Sequence, residues 1–328
     1  MGRIIKYAPL KGDVHVNTPL SNVSVAFLQD AENFVAGKVF KNIPSTKQSD
    51  RYFVYDRGEF ARDQMKLRAM GTESAGGSYD IDNTPNFFCD PYAIHKDVPD
   101  QLRGNADDAI SLDSEATEWC TEQSLIRKEK IFAAKYFVTG LWGTSQTTSN
   151  WGPSGTATDP NTDIRAGKTS ILLKTGKRAN TLVLGQNVYD ALADNADVIE
   201  RVNAGQTPNG PAVGTINAMR QLWEIDNIYV MAASENTAKE GQDPSYSFIG
   251  ADNALLCYSA PRPGRMTASA GYTFSWTGYL GAGAEGGRIK SFYMKSLSAD
   301  RIEMEMAFDM KLIAADLGYF FLTPITSA

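Results

Sequence analysis

The chain has 328 residues, 42% hydrophobic and 21% charged, a composition that supports one large or two modest domains and excludes a disordered or fibrous polymer. Thirty-two Lys and Arg against 38 Asp and Glu leave a formal charge of −6, which argues against a dedicated nucleic-acid binder while leaving room for a local basic patch. No stretch approaches the roughly 20 apolar residues that cross a bilayer, and "MGRIIKYAPLKGDVHV" lacks the apolar run of a secretory signal, so a soluble chain made in the cytoplasm is expected.

Residues 1–35 carry scattered apolar positions without a period and read as an extended arm, with one short helix at "VSVAFLQDAENF". Tyr52–Ile81 follows, "YFVYDRGEFARDQMKLRAMGTESAGGSYDI", strand-like at both ends with charges and glycines between. Neither side of "RYFVYD" is cleanly apolar, and Gly71, Gly76 and Gly77 supply a tip that turns. The limb "NFFCDPYAIHKDVPD" is β-prone but interrupted by Pro91 and Pro99, which suits an edge strand.

From Asp113 to about Val138 there is no Gly or Pro, and helix formers dominate. Asp113 or Ser114 is the expected cap, with Glu115 and Glu118 at the positive end of the helix dipole and Gly140 as the stop. Ala116, Trp119, Cys120, Ile126, Ala133 and Phe137 form a loose stripe along a rod about 40 Å long. After a Ser/Thr/Asn/Gly/Pro loop, Asp159-Pro160 reads as N-cap and first helical residue, and Gly176 as the stop. "NTLVLG" is a strand, "NVYDALADNADVIERV" and "TINAMRQLWEI" are helices, and "NIYVMAAS" is a strand; "YSFIGADNALLCYSA" and "YTFSWTGYL" add β-segments, so residues 175–295 suit a mixed α/β domain. In "RIEMEMAFDMKL", Ile302, Met304, Met306, Phe308, Met310 and Leu312 alternate with residues that are mostly charged, a long strand expected to pack on the long helix with its other face in solvent.

Catalytic patterns fail on inspection. His15 and His95 sit in polar extended segments, and Cys89, Cys120 and Cys257 are scattered without a C-x-x-C pair, which suits free thiols in or near the core rather than a zinc site. "GKTS" at 167–170 lacks the leading glycine of a phosphate loop, since Thr162 holds that place, and falls inside an expected helix. "GAGAEG" at 281–286 precedes a strand, whereas a dinucleotide site needs a helix there. Asp107-Asp108 reads as solvated, and no G-x-S-x-G elbow is present. No catalytic set, cofactor or metal is expected.

The order of these parts resembles the major capsid proteins of tailed bacteriophages. The resemblance runs through "LSNVSVAF", "KVFKNIPSTKQSDRYFVYDRGEF", "FFCDPYAIHKDVPD", the uninterrupted helix, "LWGTSQTTSNWGPSGTATDPNTDI", "TGKRANTLVLGQNVYDALADNADVIERV", "GYTFSW" and "LGYFFLTPI". It implies an α+β capsid fold: N-arm at 1–50, E-loop hairpin at 51–105, P-domain with a long spine helix and β-sheet at 106–174, A-domain at 175–295, and closing strands at 296–328. It also implies pentamers and hexamers of an icosahedral shell around DNA, with portal, scaffolding and decoration proteins as partners, assembled in the host cytoplasm and without a membrane. A lone two-stranded hairpin is marginal in water, so Tyr52–Ile81 is expected to lie on a neighbouring subunit, through Tyr52, Tyr55, Arg57, Arg62, Lys66, Arg68, Gly76 and Gly77. The arm pattern begins almost at once, which favours a separate scaffolding protein, and no cross-linking residues are assigned. The alternatives are an encapsulin-like nanocompartment shell with the same fold and, from another class, an α/β hydrolase or ligand-binding enzyme.

Overall fold

The computed structural model describes residues 28–55, 57–104, 112–147, 151–152, 159–204, 215–250, 252–264, 266–281, 287–322 and 325. A 3₁₀ turn at Ala31–Asn33 leads into α1 (Ala36–Val39), followed by β1 (Lys41–Ser45), β2 (Ser49–Arg51), β3 (Val54–Tyr55), α2 (Arg57–Phe60), β4 (Ile81–Asp82), β5 (Asn86–Phe88) and β6 (Asp90–Pro99). Next come α3 (Asp100–Arg103), the long α4 (Leu112–Tyr136), β7 (Thr144–Thr147), α5 (Pro160–Thr175), β8 (Thr181–Gly185), α6 (Gln186–Ala193), α7 (Ala196–Ala204) and α8 (Ile216–Trp223). The chain continues through β9 (Asn227–Met231), β10 (Ser234–Asn236), β11 (Tyr246–Phe248), β12 (Ala254–Cys257), β13 (Gly271–Trp276) and α9 (Thr277–Leu280). It closes with β14 (Gly287–Met294), β15 (Ala299–Leu312), a 3₁₀ turn at Ala315–Leu317 and β16 (Gly318–Leu322).

The described strands form two main sheets. In the first, β15 is central: β14 and then β13 pair along one edge, β6 along the other, and β1 extends the sheet in parallel beyond β13. Pro91 and Pro99 are tolerated because β6, among the described strands, is an edge strand paired with β15 alone. The second sheet runs β7-β16-β12-β8-β9. The expected boundaries at 175 and 295 cut across this hydrogen bonding: β13 and β14 belong with β15, whereas β7 and β16 join β8, β9 and β12.

The alternation in β15 places Ile302, Met306, Phe308 and Met310 in the core, against α4 on one face of the sheet. Direct ties fix the register: the Tyr136 hydroxyl donates to the Met310 carbonyl, and the Cys120 thiol lies 3.8 Å from the Ile302 carbonyl. The opposite face was expected to meet solvent, but Glu305, Ala307 and Asp309 are buried there. Two things close that face. Arg288, Lys290 and Tyr279 fold over Glu305, and Phe87, Phe274 and Tyr272 pack beside Asp309.

α4 also departs from the simple stripe. It starts at Leu112, so Asp113 and Ser114 lie inside the first turn rather than capping it, and Asp113 pairs with Arg103 at 2.7 Å. Trp119 is 38% exposed, while Ser124, Glu129, Phe132 and Tyr136 join Ala116 and Cys120 as buried positions. At about 100° per residue, the 116/120/124 side and the 129/132/136 side are different faces. The first rests on Ile302 and Val98; the second is wrapped by Phe34, Val35, Ala36 and Phe40 from the preceding arm.

The punctuation expected of α5 holds. Asp159 accepts from the Asn161 amide with Pro160 first in the helix, and Gly176 ends α5 at φ 67°. Gly167 of "GKTS" sits mid-helix, where a Cβ would lie 3.1 Å from Leu256 and 3.3 Å from the Tyr319 ring, so the glycine allows α5 to approach the second sheet. Residues 186–204 form two helices instead of one, because Asn195 turns its side chain to accept from the Asp197 and Val198 amides at 3.0 and 3.2 Å. "YTFSWTGYL" is a strand only to Trp276, after which Thr277–Leu280 makes one helical turn. Of the helix expected at "VSVAFLQDAENF", only the turn at Ala31–Asn33 is seen; residues 1–27, with His15, and 105–111, with Asp107-Asp108, lie outside the described residues.

Candidate assembly surfaces

The segment between β3 and β4 is the most exposed part of the described chain. β3 and β4 pair over Val54–Asp82 and Tyr55–Ile81, and no strand occurs from 61 to 80. The expected long hairpin is therefore a short two-stranded stem carrying an extended loop. Gly71, at φ 76°, makes the turn, held by the Arg68 guanidinium donating to the Thr72 carbonyl at 2.6 Å. Gly76 and Gly77 lie on the returning limb, not at the tip.

The eight expected contact residues divide into two groups. Tyr52 stacks on Phe274 with ring centroids 5.6 Å apart, Tyr55 joins Phe60 and Tyr79 in an aromatic group, and Arg57 reaches the Leu173 carbonyl at the end of α5. These three anchor the stem to its own chain. Arg62 pairs with Glu59 at 3.4 Å, Lys66 is exposed, and Arg68, Gly76 and Gly77 project with the loop. Met65, Leu67 and Met70 were not singled out from the sequence, yet they are 91%, 104% and 104% exposed. In "DQMKLRAM", Met65, Leu67 and Ala69 alternate with Lys66 and Arg68, a short strand-like period that the chain does not turn into a paired strand.

A second surface is the charged face of the first sheet. Cross-strand register puts Arg288, Glu305 and Ala93 in one row, then Lys290, Glu303 and His95, then Phe292, Arg301 and Asp97. Arg301 grips Asp97 through two bonds of 2.7 and 2.9 Å. Glu305 accepts from Lys290 at 2.6 Å, Arg288 at 2.9 Å and the Tyr279 hydroxyl at 2.9 Å. Burial pushes its carboxyl up, but the donated hydrogen bonds outweigh that and hold it at about 2. Along the outer edge, β14 has a strand partner on one side only among the described residues and shows Ile289, Phe292 and Tyr293 to solvent.

Reactive chemistry does not converge. Cys89, Cys120 and Cys257 are buried, and burial pushes the Cys89 and Cys257 thiols up to about 12. His95 lies on the edge strand opposite Glu303. Among the described residues, no group of three or more His, Cys, Asp and Glu is placed to hold a metal, and no helix is long and apolar enough to cross a membrane.

No family model matches the sequence. A major capsid protein of Pseudomonas phage JBD67 is 23% identical over 312 residues, covering 93% of this chain and 96% of the relative. Among solved structures, a phage-related protein from Bordetella bronchiseptica matches with a TM-score of 0.68 at 18% identity, over 92% of this chain and 95% of that one. The mature capsid subunit of bacteriophage PhiM1 matches at 0.59 and 12% identity, over 100% of this chain and 97% of that one. The fold also extends to the holo-SrpI encapsulin complex from Synechococcus elongatus, at 0.55 and 11% identity over 94% and 96% of the two chains. With this mixed helix-and-sheet chain matched over nearly its full length to phage capsid structures, the chain has the capsid fold, and its curated homologues are major capsid proteins of phages.

Proposed function

We propose that this chain is the shell subunit of a tailed-phage head, and that its copies assemble as pentamers and hexamers around double-stranded DNA. The observation that carries the reading beyond the fold is the loop at 61–80. It projects Met65, Leu67 and Met70 almost fully into solvent beside Arg62, Lys66 and Arg68, and a single copy gains nothing from that exposure. In a closed shell each such arm finds a neighbour, and many weak contacts become strong together. On this reading residues 1–50 are the N-arm and 51–105 the E-loop. The first sheet with α4 is the peripheral domain, and the second sheet with α5–α8 is the axial one. The role is structural rather than catalytic; portal and scaffolding proteins are partners, and DNA is touched without sequence preference.

Two experiments test this. Electron microscopy of the purified chain should show closed shells of regular diameter. Replacing Asp63–Ser78 with a short Gly/Ser link should leave a soluble subunit with a cooperative melt near that of the parent, yet abolish complete shells. Normal shells from that variant, or a subunit that no longer folds, would each overturn the assignment of the loop to a neighbour.

The likeness to an encapsulin supports a second reading, a nanocompartment shell. Particles isolated from the native source decide between the two: nuclease-protected DNA marks a phage head, and a co-purifying cargo enzyme marks a nanocompartment.

A further inference from the structure

Glu129 is a carboxylic acid that no assembly surface uses, and it is 1% exposed in the middle of α4. The Val35 amide lies 3.0 Å from both of its oxygens, and the Ala36 amide donates to Oε2 at 2.9 Å. These are the leading amides of α1, which have no partner inside that helix. Seven residues before Ala36 and Glu129 on their two segments, the Gln29 amide donates to Glu122 Oε1 at 3.2 Å, and the Gln29 side chain exchanges bonds of 2.9 and 2.8 Å with the Ser234 backbone. Gln29–Ala36 thus runs beside Glu122–Glu129 and is tied by a helix carboxylate at each end.

We propose that the Glu129 carboxyl is a proton-sensitive clasp that holds Gln29–Ala36 to α4, firm when protonated and weakened when ionised. A buried carboxylate here has two amide donors and loses its water, while a protonated carboxyl keeps an acceptor oxygen for those amides without an enclosed charge. The charged groups acting on it are Lys128 of its own helix and Lys38 of α1. Lys38 is also spent on the Glu32 carbonyl at 2.7 Å and lies 5.7 Å from the Tyr229 ring. The flanking cations Arg127 and Lys130 turn to the Tyr92 ring and to Glu235.

Burial is the largest influence and outweighs the two amides and two lysines, so the carboxyl rises from 4.5 to about 7. Released into water it returns to the ordinary value. The docked segment therefore binds the proton more tightly than the released one. Docking is favoured fully below pH 4.5 and loses ground as pH rises through 7. Between pH 5.5 and 8.5 the docking equilibrium should fall roughly 30-fold.

The test is hydrogen exchange of peptides spanning Gln29–Ala36 in the full chain, corrected for intrinsic exchange, across that pH range. Protection in the parent should fall by about that factor. Glu129→Gln keeps an acceptor without a charge and should show flat protection; Glu129→Ala should be poorly protected throughout. A flat or rising profile in the parent, or the same slope in the Gln variant, overturns the proposal. Carboxyl titration of the parent by carbon-13 NMR does not depend on any variant folding. A midpoint near neutrality supports the clasp, and one below about 5 refutes it.

Discussion

Glu305→Ala measures whether the second face of β15 is a buried surface. The side chain accepts from Arg288, Lys290 and Tyr279, each bond 2.9 Å or shorter, and the residue is 6% exposed. Hydrogen bonds to a charged group are worth about 1.5–3 kcal/mol each, so three sum to more than the net effect can be. Arg288 and Lys290 keep 31% and 34% of their side-chain exposure, and water recovers part of their solvation when the partner goes. That discount leaves a loss of about 2–3 kcal/mol, below the 3–5 of a fully buried pair. Urea unfolding of the unassembled chain reads it directly, as a lower midpoint at unchanged slope. A pH series adds a second check. A carboxyl held at about 2 in the folded chain and near 4.5 when unfolded contributes stability above pH 4.5 and loses it as pH falls toward 2. The gap between parent and Glu305→Gln should therefore shrink from pH 6 to pH 3. A loss under about 0.5 kcal/mol for Glu305→Ala, or a gap that ignores pH, would mean that solvent reaches this face after all.

Met306→Asp, one residue along and facing α4, should cost about 3–5 kcal/mol, because it puts an unpaired charge beside Phe308 and Met310; a thermal melt within a few degrees of the parent would contradict that packing. Asn195→Ala should cost about 1–3 kcal/mol, since the side chain caps α7 and also donates to the Trp151 and Gly152 carbonyls at 3.1 and 3.2 Å. Its loss should also raise proteolytic cutting near residue 152, and an unchanged digestion pattern would argue that other contacts hold that loop.

Local chemistry made several features legible from residue order. The Asp159-Pro160 start and Gly176 stop of α5 are written in three residues, and each acts within one helical turn. The period of two in β15 identifies its core face, and the absence of a helix after 281–286 removes the dinucleotide reading. The break at Asn195 was missed because Asn is tolerable inside a helix; its side chain caps α7 through the Asp197 and Val198 amides and is held in that orientation by bonds to residues 151 and 152, more than 40 positions away.

Residue order by itself determined the start and stop of α5, which face of β15 is apolar, and that Tyr52–Ile81 lacks the pattern of a core element, because these follow from interactions within a few positions along the chain. Only the tertiary structure decided that Glu305 is buried, that Glu129 clasps the Val35 and Ala36 amides, and that Tyr52 anchors the loop while Met65, Leu67 and Met70 project from it. Each of those outcomes depends on a partner brought from elsewhere in the sequence: β14 folded over β15, the arm laid beside α4, Phe274 under Tyr52. A carboxylate looks the same in sequence whether water or an arginine will face it, and the free energy that separates the two cases exists only once the neighbour is in place.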